Sequence, residues 1–154
     1  MSKQPKIAIV CDFLTTMGGA ENVVLAMHEA FPDAPIYTAM YNEDKMPAFA
    51  ELDVRPSFLQ KIPRKVRTYY KLFPTLAVKA MRRLDLREFD IILTSSYMHG
   101  HQVRKTRPGQ VIINYCHNDT TGVTTMNIGA IQAMVTLIHS FAHLCHSWCH
   151  TSAS

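Results

Sequence analysis

The sequence predicts an α/β fold built on a doubly wound parallel sheet. Continuous apolar runs at Lys6–Cys11, Asp90–Thr94 and Gln110–Tyr115 are typical of strands that are covered on both faces. Segments with helical periodicity separate such runs along the chain, and this alternation indicates right-handed βαβ units. With 154 residues, the chain is long enough for one domain with a sizeable core.

The remaining elements follow in order after the first strand. The segment Ala20–Phe31 predicts a helix that ends before Pro32 and carries on one face Val23, Val24, Met27 and Ala30. Pro35–Met40 predicts a second strand. Asp53–Phe58 predicts a short third strand at a sheet edge, because Pro56 has no N–H for a sheet hydrogen bond.

Composition narrows the class of protein. Hydrophobic residues make up 47% and charged residues 18%, which is typical of globular proteins and not of disordered ones. No apolar run approaches the roughly 20 residues of a membrane-spanning helix, and the first apolar run soon meets Asp12, unlike a signal peptide. The four cysteines are too few for a secreted disulfide framework, so we expect a cytoplasmic protein.

A pair of glycines stands between the first strand and the first helix. Gly18 and Gly19 let the backbone approach a ligand closely, and the N–H groups that open the helix at Ala20 and Glu21 suit an anion such as a phosphate. Neither the dinucleotide motif GxGxxG nor the P-loop motif GxxxxGK[ST] is present. The alternative is that the glycines only permit a tight turn.

Four segments in this order resemble the family-4 retaining glycosyltransferases, which have the two-domain GT-B fold. The segments are Lys6–Thr38, with its Gly-Gly-Ala-Glu turn, Val54–Pro74, Leu84–Arg104 and Pro108–His117. In that family two Rossmann-like domains face each other across a cleft. The N-terminal domain binds the acceptor, and the C-terminal domain binds most of the nucleotide sugar. The resemblance implies that this chain is the N-terminal half and is inactive alone.

The resemblance also implies roles for particular residues. Gly18 and Gly19 would face the diphosphate of a nucleotide-sugar donor, and His117 would lie beside the transferred sugar as the catalytic histidine. Ser95 and Ser96 would either bind a glycan or lipid-linked acceptor or cap the next helix. The alternative for His117 is an ordinary histidine at a strand end. No cofactor is expected.

A basic segment runs from Lys61 to Arg83 and contains eight Lys or Arg and no acidic residue. It predicts two helices over residues 61–84, interrupted near Pro74. Aromatic and aliphatic residues lie between the charges, which suits an anionic membrane surface at about 1 kcal/mol per basic residue. The residues predicted to face the membrane are Lys61, Arg64, Lys65, Arg67 and Lys71. A solvated charged face is the alternative. No nucleic-acid partner is expected, because the segment lacks a known nucleic-acid motif or stacking platform.

The tail, residues 118–154, departs from the family pattern. It contains no Lys or Arg, and Asp119 is its only acidic residue. We hypothesise a reading-frame change near His117, since back-translation in another phase permits the arginine, tryptophan and Glu-Tyr that the family has there. The predicted organisation is a Rossmann-like domain over residues 1–117 and an atypical tail.

The tail also has histidines at the spacing of one helical face, close to Cys145 and Cys149: His139, His143, His146 and His150. Imidazoles at this spacing can chelate zinc. The tail has no carboxylate after Asp119 to orient them, so no metal site is predicted. Two alternatives to a glycosyltransferase therefore stay open: a non-catalytic binding module at a membrane surface, and a His-rich metal-binding tail.

Overall fold

A computed structural model describes residues 5–63, 74–97 and 99–117. Within these ranges the chain forms a five-stranded parallel sheet with strand order β3-β2-β1-β4-β5. The strands are β1 (Ile7–Cys11), β2 (Ile36–Thr38), β3 (Val54–Pro56), β4 (Ile91–Ser96) and β5 (Val111–Cys116). The prediction of a Rossmann-like α/β fold is confirmed.

β1 lies at the centre of the sheet. Ile9 pairs with Ile36 of β2 on one side and with Leu93 of β4 on the other, and both pairings are parallel. The chain therefore builds outward in one direction through β2 and β3, then returns to the opposite side of β1 for β4 and β5. In open α/β sheets, ligands bind at such a switch point, outside the carboxyl ends of the strands.

Two described helices connect the strands. α1 (Gly19–Ala30) buries Val23, Val24 and Met27, as its sequence pattern predicts. It ends where the Phe31 N–H bonds the carbonyls of Met27 and His28. α2 (Pro74–Arg82) begins at a proline, which has no N–H to leave unpaired in a first helical turn. The helix predicted before Pro74 lies mostly outside the described residues.

The core divides into two clusters on opposite faces of the sheet, because strand residues alternate between the faces. One cluster combines residues of α1 with alternate residues of the central strands: Ile9, Cys11, Val23, Val24, Met27, Ile36 and Leu93. The other combines residues of α2 with the strand residues between them: Ala8, Val10, Tyr37, Ala80, Met81 and Ile92. α1 and α2 thus cover the two faces, as a doubly wound sheet requires.

The strand bounds differ from the prediction at β4. This strand continues two residues beyond Thr94, because Ser95 pairs with Tyr115 and Ser96 with Cys116. A short 3-10 helix follows at Gly100–Gln102, and its N-cap residue is His99. Neither serine therefore caps the next helix, although a capping role was one of the two roles expected for them.

β3 pairs with β2 and lies at the edge of the sheet, as predicted from the missing N–H of Pro56, although it is shorter than the predicted segment Asp53–Phe58. Among residues 5–63, 74–97 and 99–117, no helix is both long and apolar enough to span a bilayer.

Candidate functional site

The residues of the candidate site gather where β1, β4 and β5 end. Parallel strands bring their carboxyl ends to one edge, so the turn after β1, the last residues of β4 and His117 after β5 are neighbours. We call this region the strand-end site and define it by Asp12, the glycine turn Gly18–Gly19, Glu21, Ser95 and His117.

The glycine turn is exposed. Gly18 is the N-cap residue of α1 with extended backbone, and Gly19 is the first helical residue. Glu21, the third helical residue, folds back so that its carboxylate accepts hydrogen bonds from the N–H groups of Gly18 and of Glu21 itself. This is the carboxylate half of a capping box. An anion, the Glu21 side chain, already lies on backbone amides of the turn.

The carboxyl group of Glu21 is partly withdrawn from water. Burial raises its pKa above the ordinary value of 4.5, with Asp12 adding a smaller repulsion, while the two backbone hydrogen bonds oppose the rise. A Cβ added at Gly18 would lie 3.1 Å from Glu21 Oε2. The glycine therefore lets the carboxylate approach the backbone closely.

Ser95 and His117 form the buried hydrogen bond at the centre of the site. Ser95 Oγ lies 2.7 Å from His117 Nε2. The same oxygen lies 3.5 Å from the carbonyl of Ala20 in the first turn of α1. Ser95 is 2% exposed and His117 8% exposed. One hydroxyl thus touches both the histidine and the helix that follows the glycine turn.

The imidazole of His117 makes an aromatic contact in addition to its hydrogen bond with Ser95. Its ring meets the Tyr115 ring edge-on, with centroids 4.8 Å apart, and its backbone N–H donates to the Ser96 carbonyl at 2.9 Å. Burial lowers the pKa of His117 below the ordinary 6.5, and the negative charge of Asp12 opposes this in part. The ring is therefore held as a neutral imidazole at neutral pH.

Asp12 organises the loop that follows β4. Its Oδ2 accepts the Tyr97 N–H at 2.7 Å, and its Oδ1 accepts the His99 N–H at 2.8 Å. The side chain is 7% exposed, and charge-assisted bonds of this kind offset the cost of burying a carboxylate. Asp12 was not among the site residues predicted from the sequence. The sequence did carry a feature that could have identified it, because Asp12 directly follows an apolar strand.

The strand-end site unites most of the residues predicted from the sequence. Gly18, Ala20, Glu21, Ser95 and His117 lie together. Ser96 is 1% exposed and contributes its carbonyl to the His117 N–H. The substrate-binding roles expected of these residues stay predictions.

Of the residues predicted to face a membrane, the structure describes Lys61, which is not part of the strand-end site. Lys61 is exposed at the end of a short 3-10 helix, Phe58–Lys61. Four others lie outside the described residues: Arg64, Lys65, Arg67 and Lys71. The histidines and cysteines of the tail lie outside them too.

The Ser95–His117 contact has the form of a nucleophile and its base, but its setting does not suit covalent catalysis. Ser95 lies within a central strand and is almost fully buried, so a substrate carbonyl has no access to its oxygen. Asp12 directs its carboxylate to the amides of Tyr97 and His99. The buried thiol of Cys11 has a raised pKa, chiefly through desolvation, and is a poor nucleophile.

Within the part of the chain that the structure describes, no group of three or more His, Cys, Asp or Glu side chains is placed to hold a metal ion. No protein-family model, curated protein or solved structure matches the chain.

Proposed function

We propose that residues 5–117 form the acceptor-side domain of a glycosyltransferase that takes its sugar from a nucleotide-sugar donor, and that this domain is inactive alone. One observation carries the proposal: a single hydroxyl, Ser95 Oγ, contacts both the His117 imidazole and the first turn of α1. A histidine and an exposed glycine turn therefore meet at the switch point of a parallel sheet. Sugar transfer needs a site for the donor diphosphate close to a polar group beside the sugar, and the glycine turn and His117 would supply these two parts.

The glycine turn supplies the diphosphate site in this proposal. The Gly18 N–H already bonds the carboxylate of Glu21, so its geometry suits a negatively charged oxygen. The positive end of the α1 dipole adds to the attraction. A donor diphosphate would take the place of that carboxylate, which would swing out to solvent.

His117 supplies the polar group in this proposal. Transfer of a glycosyl group passes through a state with positive charge at the reacting carbon of the sugar. A neutral imidazole bonds a sugar hydroxyl without repelling that charge, whereas an imidazolium would oppose it. Burial, which lowers the pKa of His117, therefore suits the role.

The experiment is a binding titration followed by backbone NMR. Inorganic pyrophosphate and the diphosphates of uridine, guanosine and adenosine are added separately to the ¹⁵N-labelled chain. We expect weak binding that moves the amide signals of Gly18 and Gly19, and weaker binding by Gly18→Ala, whose methyl group narrows the turn. Val111→Ala, at the opposite end of the sheet, serves as the control. If no diphosphate at millimolar concentration moved either glycine signal, the proposal would be rejected.

A second candidate function, a binding module at an anionic membrane, has an observation of its own. Phe58 lies just before the basic segment and Leu76 lies within it, and they are 38% and 37% exposed. The guanidinium of Arg83 lies over the Phe58 ring, 5.9 Å from its centroid. Exposed apolar groups beside cations suit the boundary between lipid headgroups and acyl chains.

This candidate is tested by sedimentation with vesicles of phosphatidylglycerol and of phosphatidylcholine. A membrane module predicts binding to the first alone, weakened by Phe58→Ser and by added salt. Val111→Ser changes another exposed apolar residue, at the start of β5, and should have no effect. Vesicle binding without any response to diphosphates would favour this function over glycosyl transfer.

A further inference from the structure

We infer that Ser95 is a positioning residue that holds His117 as the tautomer protonated at Nε2 and ties it to the first turn of α1. The hydrogen bonds run from His117 Nε2–H to Ser95 Oγ, and from the Ser95 hydroxyl to the Ala20 carbonyl. A role of Ser95 in sugar transfer rests on the proposed function, whereas the inferred arrangement of hydrogen bonds is independent of that function.

The direction of the bonds follows from counting protons. Ser95 has one hydroxyl hydrogen and two partners within reach, His117 Nε2 at 2.7 Å and the Ala20 carbonyl at 3.5 Å. A carbonyl oxygen can only accept, whereas a neutral imidazole nitrogen can donate or accept. Both contacts are hydrogen bonds only if Nε2 donates to Ser95 and Ser95 donates to Ala20. The opposite direction leaves no hydrogen between Ser95 and the carbonyl.

Because the pair is buried, it matters which ring nitrogen of His117 carries the proton. The side chains of Ser95 and His117 are both withdrawn from water, so a wrongly oriented proton has no water molecules to replace the lost partner. The neutral state favoured by burial carries one ring proton, which the bond to Ser95 assigns to Nε2. Nδ1 is then unprotonated, and the ring acts there as a hydrogen-bond acceptor.

The geometry of the sheet and of α1 keeps Ser95, His117 and the Ala20 carbonyl next to one another. Ser95 pairs with Tyr115 across β4 and β5, which brings His117, two residues further on the same face, beside the serine side chain. Leu93, on the same face of β4, packs in the core cluster that contains Val23 and Val24 of α1. A shift of α1 along the sheet therefore acts on Ser95 through Ala20, and on His117 through Ser95.

The test is the tautomeric state of His117 in the full chain, read from two-bond ¹H–¹⁵N NMR correlations of histidine-labelled protein. The signals of His117 among the eight histidines are assigned by their loss in His117→Gln. We expect the unmodified chain to show one tautomer, protonated at Nε2. We expect Ser95→Ala to lose this preference and to give averaged signals of both tautomers.

Two further variants complete the test. Ser95→Cys is closer to serine in shape and bonds weakly through sulfur, so it should lose the preference as well, even if the alanine variant fails to fold. Thr94→Val removes the neighbouring buried hydroxyl, which bonds Asn114 instead, and should leave the tautomer unchanged. Protonation at Nδ1 in the unmodified chain would overturn the inference, as would an unchanged tautomer in a folded Ser95 variant. Failure of the chain to bind diphosphates would reject the proposed function and leave this result standing.

Discussion

The backbone at Gly100 lies against the carboxylate of Asp12. A Cβ added at Gly100 would stand 3.2 Å from Asp12 Oδ1 and 3.1 Å from Ser96 Cβ. That same Oδ1 accepts the N–H of His99, the residue just before the glycine. The loop after β4 is therefore held close to the end of β1, and close packing rather than an unusual backbone angle calls for a glycine at residue 100.

Gly100→Ala should destabilise the fold by about 1–3 kcal/mol, the usual cost of overfilling a packed site. The methyl group would press on the Cβ of Ser96 and on Asp12 Oδ1, and two backbone amides, one on each oxygen, hold that carboxylate in place. Urea unfolding followed by circular dichroism measures this change. Gly18→Ala is the comparison, since its methyl group meets only the far end of the Glu21 side chain. Equal losses in the two variants would contradict the role given to close packing.

Asp12→Asn should have two effects. It should cost about 1 kcal/mol of stability, because one of two partly buried amides loses its acceptor. It should also lower the pKa of His117 further, because the Asp12 charge partly offsets the effect of burial. An NMR titration of His117 measures the second effect, with Asp33→Asn, an exposed carboxylate, as the control. A rise in the pKa of His117 would show that Asp12 does not act on the ring as described.

Glu21→Gln should strengthen the binding of inorganic pyrophosphate, because the Glu21 carboxylate competes for the Gly18 amide and repels the ligand. We expect a gain of about tenfold, which corresponds to roughly 1.4 kcal/mol. Isothermal titration calorimetry measures it. Glu43→Gln, an exposed carboxylate at the start of a short 3-10 helix, should give no comparable gain. Weaker binding by Glu21→Gln would mean that the carboxylate assists the anion and does not compete with it.

Stability should fall as the pH drops below 6.5, in part because of His117. Its pKa in the folded chain lies below that ordinary value, so in this range the unfolded chain takes up a proton that the folded ring resists. The loss continues until the pH reaches the folded pKa. His117→Gln should flatten this part of the profile of unfolding free energy against pH. Parallel profiles for the two chains would contradict a depressed pKa.

The pKa of Glu21 is shifted in the opposite direction from that of His117, so its effect on stability can be tested separately. Its pKa is raised in the folded chain, so between 4.5 and that higher value the folded chain holds the proton more tightly than the unfolded one. Its contribution to stability is therefore present below 4.5 and is lost as the pH rises through the folded pKa. Glu21→Gln should remove this dependence, as chemical denaturation at a series of pH values would show. An unchanged profile would contradict the raised pKa.

Periodicity predicted the sheet well because apolar runs such as Ile7–Cys11 report burial directly. The sequence placed the end of β4 at Thr94, where the apolar residues stop. The strand continues through Ser95 and Ser96 because β5 supplies pairing partners, which no local pattern reveals. The same kind of non-local contact explains the rest of the site. A carboxylate three residues into α1 that folds back over a glycine, and an aspartate that bonds the loop of another strand, depend on distances that only the folded chain defines.

The central pairing of β1 with β4 also bears on how the chain acquires its structure. The hydrogen bond from the Lys6 N–H to Asp90 Oδ2 at the start of these strands spans 84 residues. Loops of this length close slowly, and parallel pairing offers no local hairpin to nucleate it. During synthesis on the ribosome, β1 can pair with β4 only after most of the domain has emerged. The edge that carries the strand-end site therefore forms late in folding, and apolar β1 is exposed to aggregation until then.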